Sequence, residues 1–442
     1  MKIALLADLH IGFGYNSPRE RDRREDSFLM AEEALKLAAE KADAIIIAGD
    51  LFDRRNPGIE VLERGARTLN IPHTYGGKGV RIRGVEGLRV DPRAEHGVPI
   101  IAVHGNHDTR SGDKNNVLSL FHASGTLVYL HRSTVVLEKG EERVAITGIG
   151  WIPDAYAPVY FRERIPPPLP NMYNILVFHQ PLKGLYPYPG EVPVDVELLP
   201  RGYNAYVTGH FHYHTEKRVG GRWIIIPGST VRTQLRDQEV LDDRAFFILD
   251  TETEDLEEVF IPSARRGFVY RIVAEGDVKS AVIRSIEDAL SKNDRKVPPI
   301  IKISLEGKTE NVPDLSDVIK AYEGRAIVRI FDQTVSDLVK QLNEIGTQYL
   351  EERAAFTKEG AEKVLMELMQ AAGIVPGPDF HAFFSLLEEG ERDRAFRLIE
   401  NGKVFEEVRA EPREQKTGNG EGTVEKGKPV KGGSTILDWV SP

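Results

Sequence analysis

Short apolar runs recur through the first part of the chain, at residues 3–7, 44–48, 100–103, 144–147, 175–178, 205–208, 223–226 and 245–249. Each is four or five residues long, and most are bounded by Gly, Asp, Asn or Pro. Continuous Ile/Val/Ala runs of that length are the pattern of strands buried on both faces, which predicts a layered α/β fold over residues 1–265. Between the first two runs, Phe28, Ala31, Leu35 and Ala38 repeat at helical spacing, so residues 26–41 are predicted to form a crossover helix.

The pattern restarts near Gly267. A strand at 268–273, a helix capped by Asp277, a strand at 300–305, a helix from Leu315 and a strand at 326–331 predict a small βαβαβ domain over 267–333. Residues 334–360 read as a charged helical linker. Residues 361–402 hold three short helical patterns in which Val364, Leu365, Leu368 and Met369, then Phe380, Phe383, Phe384 and Leu387, make apolar faces. Two short helices cannot bury so much on their own, so a partner-docking segment is expected there. The tail, 403–442, lacks apolar periodicity and is expected to be disordered. It ends in an apolar motif around Ile436 and Trp439.

A length of 442 residues suits about three domains. No stretch approaches the 18 or more apolar residues that would span a bilayer, and residues 1–7 are too short for a signal-peptide core, so a cytoplasmic location is expected. The chain has no cysteine, which leaves only nitrogen and oxygen ligands for any metal. A formal charge of −10 argues against a uniformly nucleic-acid-binding surface but leaves room for a local basic path.

The chemistry lies at the strand ends. Asp8 and His10 follow the first run, Asp50 the second, Asn106, His107 and Asp108 the third, His179 the run ending at Phe178, and His210 and His212 the run ending at Thr208. In open α/β sheets ligands collect beyond the carboxyl ends of strands. In an extended Asp-x-His or His-x-His segment, two side chains point to one side. Carboxylates, an amide oxygen and imidazoles suit divalent ions such as Mn²⁺ or Fe²⁺, with Zn²⁺ also accommodated. Two such ions roughly 3.5–4 Å apart can stabilise the attacking and leaving oxygens of a phosphoryl displacement.

In this order the elements D-x-H, G-D, G-N-H-D, H and G-H-x-H resemble the signature of the calcineurin-like metallophosphoesterases. The resemblance implies a β-sandwich flanked by helices, with Asp8, His10 and His212 on one metal, Asn106, His179 and His210 on a second, and Asp50 bridging. It also implies that His107 assists the leaving oxygen and is positioned by Asp108. The motifs Ala7-Asp8-Leu9-His10-Ile11-Gly12, Gly49-Asp50-Leu51-Phe52-Asp53 and Pro227-Gly228-Ser229-Thr230, with the extra domain and tail, further resemble the archaeal meiotic recombination eleven nuclease family and its bacterial exonuclease relatives. That resemblance implies a Mn²⁺-dependent DNA exonuclease and endonuclease of double-strand-break repair, nucleoid-associated, acting as a homodimer. It also implies a capping second domain, and helices that dock on an SMC-like ATPase.

Several readings stay open at this level. A phosphodiesterase or nucleotidase for small phosphoesters would keep every ligand, whereas a non-catalytic DNA-end scaffold would be expected to have lost some. Asp53 stands where some archaeal members carry a histidine. Residues 71–99 form a Gly/Arg-rich insertion that alters any dimer contact, and its Arg81, Arg83, Arg89 and Arg93 are either a phosphate-contacting edge or a solvated loop. Residues 18–25, of mixed charge, pose the same choice. His73, His96, His122, His131 and His381 read as structural or surface residues, and so do His104 and His214, for which a place behind the ligands is the alternative. Ile436 and Trp439 resemble part of a sliding-clamp-binding motif, although Gly433 and Val440 depart from its pattern.

Overall fold

The structure, a computed structural model, describes residues 1–15, 17–109, 115–183, 185, 194–307, 313–334, 374–376, 380, 382 and 405–407. Contacts divide the chain into two units, Met1–Ser336 and Asp337–Pro442.

Two sheets form the body of the first unit. In one, the strands run in the order Leu256–Phe260, Ala245–Asp250, Lys2–Leu6, Ala44–Ala48, Ile100–Val103, Val128–Tyr129. In the other, the order is Thr215–Val219, Arg222–Ile226, Ala205–Thr208, Tyr173–Phe178, Glu142–Ile149, Ser133–Lys139, Arg81–Gly84. Alternate side chains of the central strands go to different cores. Ile3, Leu5, Ile46 and Ala48 meet Val144, Ile146, Ile175 and Val177 between the sheets. Ala4, Leu6, Ile45 and Ile47 pack outward against Phe28, Ala31, Leu35 and Ala38 of the helix Asp26–Lys41. Burial on both faces is why these segments are apolar throughout rather than alternating. The layered α/β expectation therefore holds.

The second sheet carries helix Ala157–Glu163 on its outer face, where Phe161 packs on Phe178. Insertion residues 71–99 supply its edge strand Arg81–Gly84, which pairs with Ser133–Lys139. Arg81 sits opposite Glu138, next to the turn into Glu142 and at the end of the sheet away from Phe178. Arg83 lies 3.6 Å from Glu138, and Arg93 is held by Asp91. These arginines form a solvated sheet edge remote from the ligand-bearing strand ends.

Residues 267–332 build a three-stranded parallel sheet, Gly267–Val273, Ile300–Glu306 and Ile327–Asp332, covered on one face by the helices Val278–Lys292 and Ser316–Ala321. Asp277 caps the longer helix by accepting from the Ser280 amide at 3.1 Å. This sheet is fastened to the body at two places. Arg329 makes paired bonds to Asp22, at 2.8 and 3.2 Å, which ties the mixed-charge segment 18–25 to the small sheet. The second fastening, at helix Asp237–Leu241, adjoins the candidate site.

In the second unit, Ile374–Pro376 pairs antiparallel with Phe405–Glu407. Ordered structure thus reaches past 403, the start expected for the disordered tail. Phe380 is fully buried within the chain, which removes it from an open docking face. Val364, Leu368, Phe383, Phe384, Leu387, Ile436 and Trp439 lie outside the described residues, as do His381 and the linker 335–360.

Candidate metal centre

Parallel pairing brings five strand ends together. Leu6 lies beside Ile47, Ala48 beside Val103, and Thr208 beside Phe178, so the loops that follow them open at one edge of the sandwich. The loops then interlock: the Asp8 amide donates to Gly49 O and the His10 amide to Asp50 O, both at 3.0 Å. The D-x-H pair is not presented by an extended segment. Asp8, His10, Asp50 and His210 all have positive φ, at 51°, 42°, 48° and 81°. Such backbone costs on the order of 1–3 kcal/mol per residue and persists where the surroundings enforce it. Here it turns four side chains from three loops inward. The motif glycines give them room, since a Cβ on Gly49 would lie 2.2 Å from His179 Nδ1, and one on Gly105 would lie 2.0 Å from Asp50 Oδ1.

All seven ligand-type residues converge. His10 Nε2 and His212 Nε2 are 3.2 Å apart, with Asp8 Oδ1 3.9 Å from the former and 3.8 Å from the latter. On the other side Asn106 Oδ1 lies 3.2 Å from His179 Nε2 and 3.1 Å from His210 Nδ1. Asp50 Oδ2 stands between the groups, 3.7 Å from His10 Nε2 and 3.4 Å from His179 Nε2. Donors about 2.1 Å from a shared ion are themselves roughly 3–4 Å apart, so these separations fit ligation. Asp8, lying 4.0 Å from His179 Nε2, also borders both groups.

Hydrogen bonding shows what the cluster needs. The His179 Nδ1 proton goes to Ala48 O at 2.8 Å, which turns Nε2 toward the oxygens of Asn106 and Asp50. His212 Nδ1 faces Thr233 Oγ1 at 2.8 Å and Glu239 Oε1 at 3.5 Å, which favours a proton there and a lone pair on Nε2. His10 Nε2 then either opposes that lone pair or donates to it and leaves Nδ1, buried and without a hydrogen bond, as an orphan acceptor. A cation between the groups takes both Nε2 lone pairs and puts the His10 proton on Nδ1, which faces Asp53 Oδ1 at 3.6 Å, and the N/O donor set with its ordered outer partners suits a divalent ion. The titrations reflect the same field. Burial alone would lower His179, but the charge of Asp50 and its hydrogen bond outweigh it and raise the imidazole to about 9. Burial raises Asp8 to about 6 against the pull of His179 and His212, whereas Asp50, despite burial, is driven well below the carboxylate range by His179 and His10.

Asp108 does not pair with His107 as expected. The His107 ring is exposed on the rim, with Nδ1 on the Asp53 backbone carbonyl at 2.7 Å. Asp108 is fully buried and accepts from the amides of Gly105, Phe52 and Leu51 at 2.9, 3.0 and 3.2 Å. It stitches the loop of Asp50 to that of Asn106 and does not orient His107. Its short side chain is drawn inward by three amides that no other group satisfies. Burial and the Asp50 charge raise its carboxyl to about 7 against those amides. His107 also offers one nitrogen within 4.8 Å of ligand atoms of His10 and Asp50.

A cleft of about 310 Å³ opens over the cluster, with Phe13, Asp53, His107, Tyr213, Gln234 and Arg236 in its wall. Sequence reasoning missed the supports: Thr233 and Glu239 at His212, the Asp53 carbonyl at His107, and Ser229, whose hydroxyl donates to Asp8 O at 2.6 Å. Ser229 and Asp53 lay within motifs; Thr233 and Glu239 did not. His104 lies behind Asn106, bonded to the Tyr129 hydroxyl at 2.6 Å, and His214 is held by Asp242 and Glu258.

Comparison with known proteins agrees with this geometry. Residues 1–214 match the calcineurin-like phosphoesterase family. The double-strand break repair protein mre-11 of Caenorhabditis elegans is 30% identical over 288 residues, 56% of this chain and 39% of that protein. DNA double-strand break repair proteins Mre11 of Methanosarcina mazei and Methanosarcina acetivorans are 27% and 25% identical over 345 and 418 residues, 76% and 90% of this chain and 50% and 61% of theirs. The chain thus spans about half the length of the curated relatives it matches. Among the described residues no helix is long and apolar enough to cross a membrane. Residues 1–214 are a calcineurin-like phosphoesterase domain, in a chain homologous to the Mre11 double-strand break repair proteins.

Proposed function

We propose that this protein is a metal-dependent nuclease that hydrolyses DNA phosphodiester bonds at double-strand breaks. The observation that carries the reading is the convergence of seven N/O donors from five strand ends on a buried pair of carboxylates beneath an open cleft. Asp8, His10 and His212 would hold one divalent ion, Asn106, His179 and His210 the other, and Asp50 both, with Mn²⁺ the best match to a thiolate-free set. The ions, when bound, supply Lewis-acid stabilisation of phosphoryl charge and an acidified water.

The protein's own groups do the rest. Asp8 and Asp50 are held in place by loop amides: the His210 amide donates to Asp8 at 3.0 Å and the His107 amide to Asp50 at 2.8 Å. His107, with Nδ1 committed to Asp53 O, presents Nε2 to the cleft, where it can donate a proton or a hydrogen bond to the leaving oxygen. The names of the relatives favour DNA as substrate over small phosphoesters. An SMC-like ATPase partner and a homodimer complete the proposal. Truncation after Glu351 is expected to leave hydrolysis intact and to abolish co-purification with the ATPase; retention of the complex would remove the docking assignment.

The test of function is a substrate panel. EDTA-stripped protein with Mn²⁺ added back should degrade linear duplex and single-stranded DNA. Hydrolysis of bis-p-nitrophenyl phosphate with no cutting of either DNA would replace the nuclease reading with a small-substrate phosphodiesterase.

A further inference from the structure

The short helix Asp237–Leu241 touches both the small parallel sheet and the candidate metal centre. On one side its Asp237 carboxylate is gripped by that sheet: Lys302 Nζ lies 2.7 Å from Oδ1, and the Arg271 guanidinium bonds Oδ2. The Lys302 side chain is 11% exposed and that of Asp237 31%, so the lysine end of this ion pair is shielded from solvent while the carboxylate keeps one open side. Backbone contact is as close. A Cβ on Gly267 would lie 1.7 Å from Val240 O, so strand and helix cannot slide past each other freely.

On its other side the helix holds the metal ligand His212. Glu239 Oε1 accepts the Thr233 amide at 2.7 Å and stands 3.5 Å from His212 Nδ1, which the Thr233 hydroxyl meets at 2.8 Å. Two buried arginines stiffen the junction. Arg232 donates to Glu239 O and Val240 O at 3.1 Å each, and Arg244 donates to Glu239 O at 3.1 Å and to His212 O at 2.6 Å. The helix is therefore clamped to the ligand through both side chain and backbone.

We propose that Lys302 and Asp237 are positioning residues for the metal centre: through the helix Asp237–Leu241 they set Glu239, and Glu239 sets the imidazole of His212. The small domain thereby controls how tightly the ion held by Asp8, His10 and His212 is bound. By reciprocity of coupled equilibria, occupancy of that ion also stiffens the placement of the small domain. The inference rests on the proposed role of His212 as a ligand.

A double-mutant cycle on the full chain, with free Mn²⁺ counted by electron paramagnetic resonance during titration, tests it. In Glu239→Gln the amide oxygen can still accept from Thr233 but the charge beside His212 is gone, and affinity at one of the two sites should fall about tenfold. Lys302→Met should weaken the same site by about threefold or more, and Lys302→Arg should bind as wild type. Added to Glu239→Gln, Lys302→Met should cause no further loss, because both act through one carboxylate. Wild-type affinity in Lys302→Met, or an undiminished loss in the Glu239→Gln background, would overturn the proposal. Two tight sites in His212→Ala would instead refute the ligand role beneath it.

Discussion

Replacing Asp50 by Asn is the most informative single change, because it removes charge while keeping shape. Asp50 Oδ1 accepts the His107 amide at 2.8 Å, and an Asn oxygen in that place would preserve the loop. The other position, Oδ2, lies 3.7 Å from His10 and 3.4 Å from His179 and would become an amide NH₂. The field lost can be gauged from His179, which Asp50 helps lift from 6.5 to about 9 although burial opposes the rise. At 1.36 kcal/mol per unit, holding a single proton there is worth about 3 kcal/mol. A divalent ion feels the same carboxylate at least as strongly, so Mn²⁺ affinity should fall by about 10² or more, and both ions should suffer because Asp50 borders both groups. Calorimetric Mn²⁺ titration alongside the rate of DNA hydrolysis would measure this, with activity expected below about 1% of wild type. Two tightly bound Mn²⁺ in Asp50→Asn, or a rate above a tenth of wild type, would refute the bridging role.

Other outcomes separate the remaining residues. His107→Ser should retain both Mn²⁺ and DNA binding while turnover drops by about 10²–10⁴, checked by metal analysis beside single-turnover cleavage; a metal-depleted variant would make His107 a ligand. Gly105→Ala, whose Cβ would press on Asp50 at 2.0 Å, should lose metal affinity and melt lower, as calorimetry would show. Stability should fall on acidification, because burial holds His104 at about 3 and His131 at about 4. The unfolded chain takes up protons below about pH 6.5 while the native state does not, so this contribution is complete above 6.5 and is lost progressively down to about pH 4 for His131 and about pH 3 for His104. In His131→Asn, which can still accept from the Gly150 amide, the dependence of unfolding free energy on pH in that window should flatten by about one proton, or about 1.4 kcal/mol per pH unit.

Much of this fold was legible in the sequence because its central strands are buried on both faces and therefore apolar without interruption. Segments with one wet face were not. Thr215–Val219 and Leu256–Phe260 are edge strands interrupted by charged residues, and Arg81–Gly84 hides inside a Gly/Arg-rich insertion. Helix Ile59–Leu69, with Val61, Gly65, Thr68 and Leu69 buried and charged residues between them, is strongly amphipathic, and its pattern was present in the sequence but was not picked out. The ligand set was readable from where His, Asp and Asn fall after strands. The support of His107 was not, because a backbone carbonyl leaves no trace in residue identity, and the neighbouring Asp108 offered a plausible partner that three buried amides claim instead. Glu239 stands 27 residues after His212, with nothing in that spacing to link them.

The central claim is that seven residues from five loops hold two divalent ions side by side, and anomalous X-ray scattering from a Mn²⁺-loaded crystal tests it most directly. The account predicts two peaks roughly 3.5–4 Å apart, one among Asp8, His10 and His212, the other among Asn106, His179 and His210, with Asp50 touching both. A single peak, or two peaks that leave Asp50 or Asn106 unligated, would contradict it.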